Sequence, residues 1–271
     1  MFNWLYELFG SILKFIYSNT GENFGVALII FTIFMKIVLL PLSIKQQRSM
    51  TAMQKIQPQL SELQRKYAND KDKLGRETME LYKKNNVSPF GGCLPMIFQM
   101  VILIIMINIV YRPATYVMNV PDVAKDLTSQ IAAAQAAGMN FQFLNVFDLA
   151  TKPVFTRYVT VPVLISWILP ALATLATYLS GVVSQKMSGN PSANTQNEDA
   201  QQMTKSMTTI MPLMTLVFTF TLPLSASLYW FISSITQVLQ QYVLSKIMKV
   251  EIEDEGGLSY HEKLNQKRKK R

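Results

Sequence analysis

Gly25–Leu42 reads GVALIIFTIFMKIVLLPL, eighteen residues with a single charge, Lys36, and a proline one place from the end. A helix that crosses a bilayer needs about 20 mostly apolar residues, so this stretch is long enough to be a span. Three other blocks share its character: Gly92–Tyr111, Tyr158–Val183 and Met207–Met248. The last is about twice the length of one span. Within it, Thr221-Leu222-Pro223-Leu224-Ser225-Ala226-Ser227 offers a turn, because proline breaks the helical ladder. The fold class predicted is therefore all-α: a polytopic membrane protein with five transmembrane helices at 23–42, 92–111, 158–183, 207–222 and 226–248.

The composition of the 271 residues agrees. Hydrophobic residues make up 49% and charged residues 16%, with a net charge of +9. Soluble domains carry about 25% charged residues. The apolar residues lie in blocks with the charges between them, which excludes a disordered chain and an ordinary cytosolic enzyme.

Lysine and arginine in the flanks set the orientation. The segment Ser43–Gly91 holds ten of them, Arg112–Arg157 four, Ser184–Ser206 two, the tail from Lys246 eight and the N-terminal segment one. One face thus carries 20 and the other 5. The expected protein sits multi-pass in a cell membrane, N-terminus outside and C-terminus cytoplasmic. Residues 1–22 read as an outer amphipathic helix, with Phe2, Leu5, Leu8, Phe9, Ile12, Phe15 and Ile16 at helical spacing. They lack the basic start and small-residue cleavage site of a signal peptide. Residues 112–157 form the extracellular loop, with an Ala-rich helical candidate at Gln130–Ala137, and 184–206 a polar cytoplasmic loop.

Residues 43–91 read as a cytoplasmic helical hairpin. Met53, Ile56, Leu60, Leu63 and Tyr67 follow a helical spacing, Asn69-Asp70-Lys71-Asp72 makes the turn, and Leu74, Thr78, Leu81 and Tyr82 continue on a second helix. Its ten basic residues against five acidic ones suit anionic headgroups or an acidic partner, or simply form a solvated face that enforces topology. Met50 and Met53 at its base offer an adaptable apolar surface. The basic tail 249–271, with six Lys/Arg from Lys263 onward, can bind ribosomal RNA or a membrane by charge alone.

Lys36 is the first functional candidate. An ionisable group inside a span is costly and marks function by default, although a lysine near Pro41 can also snorkel. Polar residues recur in every other span. Tyr229, Ser233, Thr236 and Gln240 share a face in the fifth, with Trp230, Ser234, Gln237 and Gln241 beside them. Thr208, Thr215 and Thr219 do so in the fourth, and Thr177, Ser180 and Ser184 in the third. Gln99 lies in the second, and Thr32 and Ser43 flank Lys36 in the first. Each stripe alone is ordinary interhelical hydrogen bonding. Five together with a lysine point to a shared polar cavity lined by Lys36, Thr32, Gln99, Thr177, Ser180, Thr215, Tyr229, Trp230, Ser233 and Gln237.

No catalytic or metal constellation accompanies them. Cys93 and His261 are single, every Asp and Glu lies outside the apolar blocks, and no phosphate-binding glycine motif appears. The reading is no enzyme, no cofactor and no DNA partner. A small-solute transporter or channel with a polar cavity is the alternative, though no inverted repeat supports it.

Several runs carry a more specific signal: Asn23-Phe24-Gly25 through Lys36 to Leu40-Pro41-Leu42; Lys45-Gln46-Gln47; Asn86-Val87-Ser88-Pro89-Phe90-Gly91-Gly92-Cys93-Leu94-Pro95-Met96 followed by Gln99-Met100; Ile168-Leu169-Pro170; Met211-Pro212; Leu228-Tyr229-Trp230 and Gln240-Gln241. In these the chain resembles the YidC/Oxa/Alb family of membrane protein insertases, in its short Gram-positive form, over nearly its whole length. The resemblance implies five helices around a hydrophilic groove open to cytosol and lipid but closed outside. It implies one positive residue in the groove, usually arginine and here Lys36. It also implies insertion of membrane proteins without ATP, with nascent membrane proteins, membrane lipids, and possible ribosome and Sec translocon contacts as partners. Three departures stand out. Ser180 replaces a frequent glutamine, Pro223-Leu224-Ser225 replaces a Pro-Ser/Ala-Gly turn, and the lipid-anchored signal peptide of Gram-positive members is expected to be absent.

Overall fold

The computed structural model describes residues 3–88, 94–121, 123–154, 160–187 and 212–255. It is mostly helical. In chain order the helices are α1 (Asn3–Asn19), α2 (Phe24–Val38), α3 (Leu40–Lys66), α4 (Lys71–Lys84), α5 (Leu94–Tyr111), α6 (Leu127–Ala136), α7 (Val161–Met187), α8 (Pro212–Thr221) and α9 (Leu224–Glu255).

The opening stretch is not one straight helix. Asn23 caps α2 by accepting from the Val26 N–H at 3.1 Å, and α2 stops at Val38. Pro41 has no N–H to give the Ile37 carbonyl and its ring would clash with it, so the ladder cannot continue. The chain pivots at Leu39, whose N–H still reaches Met35, and the pair α2–α3 bends by 55°. Leu40–Leu42, expected at the end of the first span, therefore begin the hairpin helix α3 instead.

α3 and α4 form the expected hairpin. Asp70 caps α4 by accepting from the Lys73 N–H at 3.0 Å, and Lys83 and Lys84 sit in its last turn. Ile56, Leu60 and Leu81 are buried within the hairpin, as is Val87 just after it. The resemblance-bearing run around Gly91-Gly92-Cys93 lies outside the described residues, as do the loop 188–211 and the tail 256–271.

The loop between α5 and α7 adds short non-helical pieces to this helical fold. After α5 comes a π-helical turn, Ala114–Met118, and after α6 a two-stranded antiparallel hairpin, β1 (Gln142–Phe143) with β2 (Phe147–Asp148). Strands this short leave little periodicity to detect. This segment caps one end of the bundle. The Asn140 carbonyl accepts from the Phe24 N–H at 3.0 Å and opens α2. The Thr151 and Leu149 carbonyls accept from the first N–H groups of α9, Leu224 (2.8 Å) and Ser225 (3.1 Å). Gly25 leaves room for the Phe143 ring, which a side chain there would overlap. Gln130, fully buried, pins the π-helical turn to α6 by accepting from the Thr115 N–H and donating to the Ala124 carbonyl. Asp126 caps α6 through the Ser129 N–H at 2.9 Å, a bond that holds its carboxyl below the usual range.

α1 docks on the same cap. Gly10 lets its backbone approach the Tyr116 carbonyl, where a Cβ has no space. Tyr17 donates to the Gly138 carbonyl (3.3 Å) and accepts from the Asn140 N–H (3.0 Å), and burial raises its pKa. Leu13, Tyr17, Phe24, Leu28, Phe141, Leu149 and Leu224 form the core beneath.

Among the described residues one helix, Val161–Ser184, is by itself long and apolar enough to cross a membrane, and the bent pair Phe24–Val38 with Leu40–Met53 qualifies jointly. Phe98–Tyr111 and Pro212–Thr221 are apolar but shorter. Large apolar side chains nevertheless lie exposed on α2, α5, α7, α8 and α9, among them Ile37, Ile104, Leu175, Val217 and Leu239. A soluble protein does not leave that much apolar surface bare.

Candidate functional site

Lys36 lies in the last turn of α2, where the helix's terminal carbonyls favour a cation. It is only partly exposed. Around it α2 contributes Phe31, Thr32, Met35 and Leu39; α5 contributes Gln99, Ile102, Ile105 and Met106; α9 contributes Tyr229; and α1 contributes Phe9. Together they enclose a cavity of about 20 Å³. A water needs about 10–15 Å³ of such space, so the pocket holds roughly one.

Its polar members are few and placed on three helices. Thr32 is 2% exposed and satisfies its hydroxyl by donating to the Leu28 carbonyl at 2.7 Å. Tyr229, 5% exposed, makes side-chain polar contacts with Ser233 one turn below and with Gln99 across on α5. The arrangement is an ammonium, an amide, a phenol and two hydroxyls inside an apolar wall. It can hold a water, solvate a peptide group or neutralise an anion. It offers no nucleophile–base pair, and no cluster of potential metal ligands occurs among the described residues.

Of the ten residues predicted to line one cavity, the structure brings Lys36, Thr32, Gln99, Tyr229 and Ser233 together. Thr177 and Ser180 sit instead in the seam between α7 and α9, the most extensive helix contact. There Thr177 and Ser234 share a hydrogen bond of 3.1 Å, Ser180 donates to the Thr177 carbonyl at 2.8 Å, and one heptad below Gln241 donates to Ser184 at 2.8 Å. Thr215 is buried on α8, its carbonyl accepting from the Thr219 hydroxyl. Trp230 stacks on Phe218 with centroids 6.2 Å apart, in a separate apolar cluster with Val110, Leu222 and Ala226. Gln237 faces outward.

The reading missed the apolar wall. Most of it is recoverable in hindsight: Thr32, Met35, Lys36 and Leu39 share one face of α2, and Gln99, Ile102 and Met106 share one face of α5. Phe9 is not recoverable that way, since it reaches Phe31 edge-on (6.3 Å) only because α1 folds back over the bundle.

Comparison with known proteins adds an independent line. Residues 15–252 match the family model described as 60Kd inner membrane protein. The chain is 33% identical over 247 residues to the membrane protein insertase YidC of Fusobacterium nucleatum, covering 90% of this chain and 98% of that one. It is 34% identical over 240 residues to the YidC insertase of Caldanaerobacter subterraneus, covering 89% and 93%. It is 32% identical over 239 residues to the membrane protein insertase MisCA of Bacillus subtilis, covering 86% and 74%. A match of this extent across helices, hairpin and cap is a match of the whole architecture, and the chain belongs to the YidC/Oxa family of membrane protein insertases.

Proposed function

We propose that this integral membrane protein inserts other membrane proteins by giving their polar segments a hydrated, positively charged stopping place partway across the bilayer. It works as an insertase and chaperone, not as an enzyme. The observation that carries the reading is the gathering of Lys36, Gln99, Tyr229 and Thr32 from three helices into one cavity inside an otherwise apolar bundle.

In this reading the five apolar blocks all span the membrane, bounded as the sequence divides them, and their bare apolar side chains face lipid. The capped end is the outer one. The α3–α4 hairpin and the basic tail lie in the cytosol, by the excess of lysine and arginine on that side. The cap closes the groove outside, so a substrate enters from the hairpin side. An acidic extracellular segment is drawn to Lys36, while the apolar segment that follows passes the α7–α9 seam into lipid and gains its transfer energy there. Each charge centred in a bilayer costs about 2.5–3.5 kcal/mol, and lowering that cost is the catalytic content of the process. Nascent membrane proteins and lipids are the partners, with the ribosome and the Sec translocon meeting the cytoplasmic basic surfaces. Lys36, Thr32, Gln99, Tyr229 and Ser233 form the innermost groove, and Thr177, Ser180, Thr215, Trp230 and Gln237 line its margins.

A small-solute transporter is the second reading, and it is disfavoured because the sequence carries no inverted repeat. The test is a photo-crosslinker at Met35, beside Lys36. A stalled single-span nascent chain with an acidic N-terminal segment is expected to form an adduct, strongest when that segment has just left the ribosome. Absence of any adduct, with efficient crosslinking from a hairpin position, would remove the groove from the pathway.

A further inference from the structure

The turn of the β1–β2 hairpin carries a conformational oddity and an exposed apolar tip at the same place. Leu144 and Asn145 both have φ of 55°, in the left-handed region. Asparagine tolerates that region, but a bulky leucine adopts it rarely and at a cost in energy. The side chain gains nothing from protein packing in return: Leu144 is 70% exposed, and Val146 next to it is 51% exposed. A strained backbone that presents a large apolar group to the surroundings is a reason to look for what the group meets.

The level of the tip along the bundle supplies the answer. Asn23 donates its side-chain amide to the Gln142 carbonyl at 2.9 Å, and the Phe143 ring fills the space above Gly25. The turn 144–146 therefore lies level with the first turn of α2, just where bare lipid-facing side chains begin at Val26. A second apolar element belongs to the same cap. Trp4, Leu8 and Phe15 recur on one face of α1 and are 62%, 49% and 70% exposed, opposite the buried Leu13. The Tyr17 hydroxyl ties that helix to Gly138 and Asn140, immediately before the hairpin.

We propose that Leu144 and Val146 dip into the acyl–headgroup boundary of the leaflet at the capped end, so that the cap rests on lipid at two points, the α1 face and the hairpin tip. The inference rests on the membrane-spanning reading but not on the groove at Lys36. The partner is the phospholipid surface itself.

The test places an environment-sensitive fluorophore on single cysteines in the full chain, in a Cys93→Ser background, reconstituted in phosphatidylcholine–phosphatidylglycerol vesicles. The probe positions are Leu144→Cys, Leu175→Cys on α7 as the lipid control and Ala136→Cys on α6 as the water control. At position 144 the emission is expected to shift to the blue. Lipids spin-labelled near the headgroup are expected to quench it at least twofold more than aqueous iodide does. Quenching by iodide as strong as at position 136, with position 175 quenched by lipid, would overturn the proposal. Failure of lipid quenching at position 175 would overturn the spanning reading instead. A second variant guards against perturbation by the label. Leu144→Gly, which relieves the turn, is expected to keep the fold while loosening the cap, seen as at least twofold faster proteolysis of the cap in vesicles. Unchanged proteolysis in vesicles would count against a lipid contact.

Discussion

Replacing Lys36 by methionine keeps most of the side-chain stem against Phe31 and Met35 and removes only the charge, whereas alanine would also remove packing. The magnitude follows from the geometry of the pocket. A substrate carboxylate that enters a cavity big enough for one water comes within about 5 Å of the ammonium. At an effective dielectric of about 20 the attraction is about 3 kcal/mol. That is close to the cost of about 2.5–3.5 kcal/mol for one charge at the bilayer centre, so on the proposed reading Lys36 would offset about one acidic residue of the translocated segment. In proteoliposomes, the initial insertion rate of a single-span substrate with one acidic residue in its tail is expected to fall about 100-fold in Lys36→Met. A substrate with a neutral tail is expected to lose less than about 3-fold, because the barrier it meets contains no such attraction. Lys36→Arg is expected to restore the acidic substrate. A buried charge is only weakly screened, so the wild-type preference should survive a rise in salt from about 0.1 M to about 0.3 M. Equal losses for acidic and neutral tails would show that Lys36 acts on the fold and not on the substrate, and no loss for either would remove it from the mechanism.

Three further outcomes follow from the cap and the seam. Tyr17→Phe removes two part-buried hydrogen bonds, to Asn140 and Gly138, each contributing about 0.5–1.5 kcal/mol; the thermal midpoint in detergent is expected to fall by roughly 2–10 °C. The Thr177–Ser234 bond in the α7–α9 seam is expected to give a coupling near 0.6 kcal/mol in a Thr177→Val, Ser234→Ala double-mutant cycle, the average for such pairs in lipid. A coupling near zero would mean that these hydroxyls serve something other than the seam. Asp126 has a lowered pKa in the folded protein, so the stability it lends α6 is present above the unfolded value of about 3.9 and is lost as pH falls through the folded value. The protection of the Ser129 amide, its exchange rate relative to an unstructured amide at the same pH, is expected to fall as pH drops below the unfolded value of about 3.9, and Asp126→Asn is expected to abolish that dependence.

The membrane class, the hairpin and the ammonium were legible because each is a local pattern. The mostly apolar eighteen-residue stretch that holds Lys36, the helical spacing of Ile56 and Leu60, and the Asp70 turn need no knowledge of what lies opposite. What stayed hidden depends on partners far away in sequence. The bend at Leu39 was signalled by Pro41, yet hydropathy alone carries the first span on to Leu42. The hairpin β1–β2 is two residues per strand and is fixed by contacts with Asn23 and Gly25, more than a hundred residues earlier. The polar stripes are visible as stripes in the sequence, but which neighbour each one meets is not. On α9, Tyr229 and Ser233 belong to the Lys36 pocket while Ser234 and Gln241, on the adjacent face, bond to α7. A rotation of 100° per residue separates the two, and a single sequence does not say which neighbour each face meets.

The two ends of the bundle differ in a way that bears on how so small a cavity admits a polypeptide. At the capped end the leading N–H groups of α2 (Phe24) and α9 (Leu224, Ser225) are bonded to the Asn140, Thr151 and Leu149 carbonyls, and Gly10, Gly25 and Gln130 fit closely against their neighbours. Toward the hairpin the opposite holds. The helix ladder breaks at Leu39, and Gln46 Nε2 and Gln241 Oε1 are buried with no hydrogen-bond partner among the described residues. Buried polar groups without partners are uncommon, and each lowers the cost of a state in which water or another chain reaches it. On the proposed reading, opening costs less at this end than beneath the cap. A groove that widens from the hairpin side would carry solvent up to Lys36 while the outer seal holds. That is the asymmetry required to take up a polypeptide segment without opening a continuous channel through the membrane.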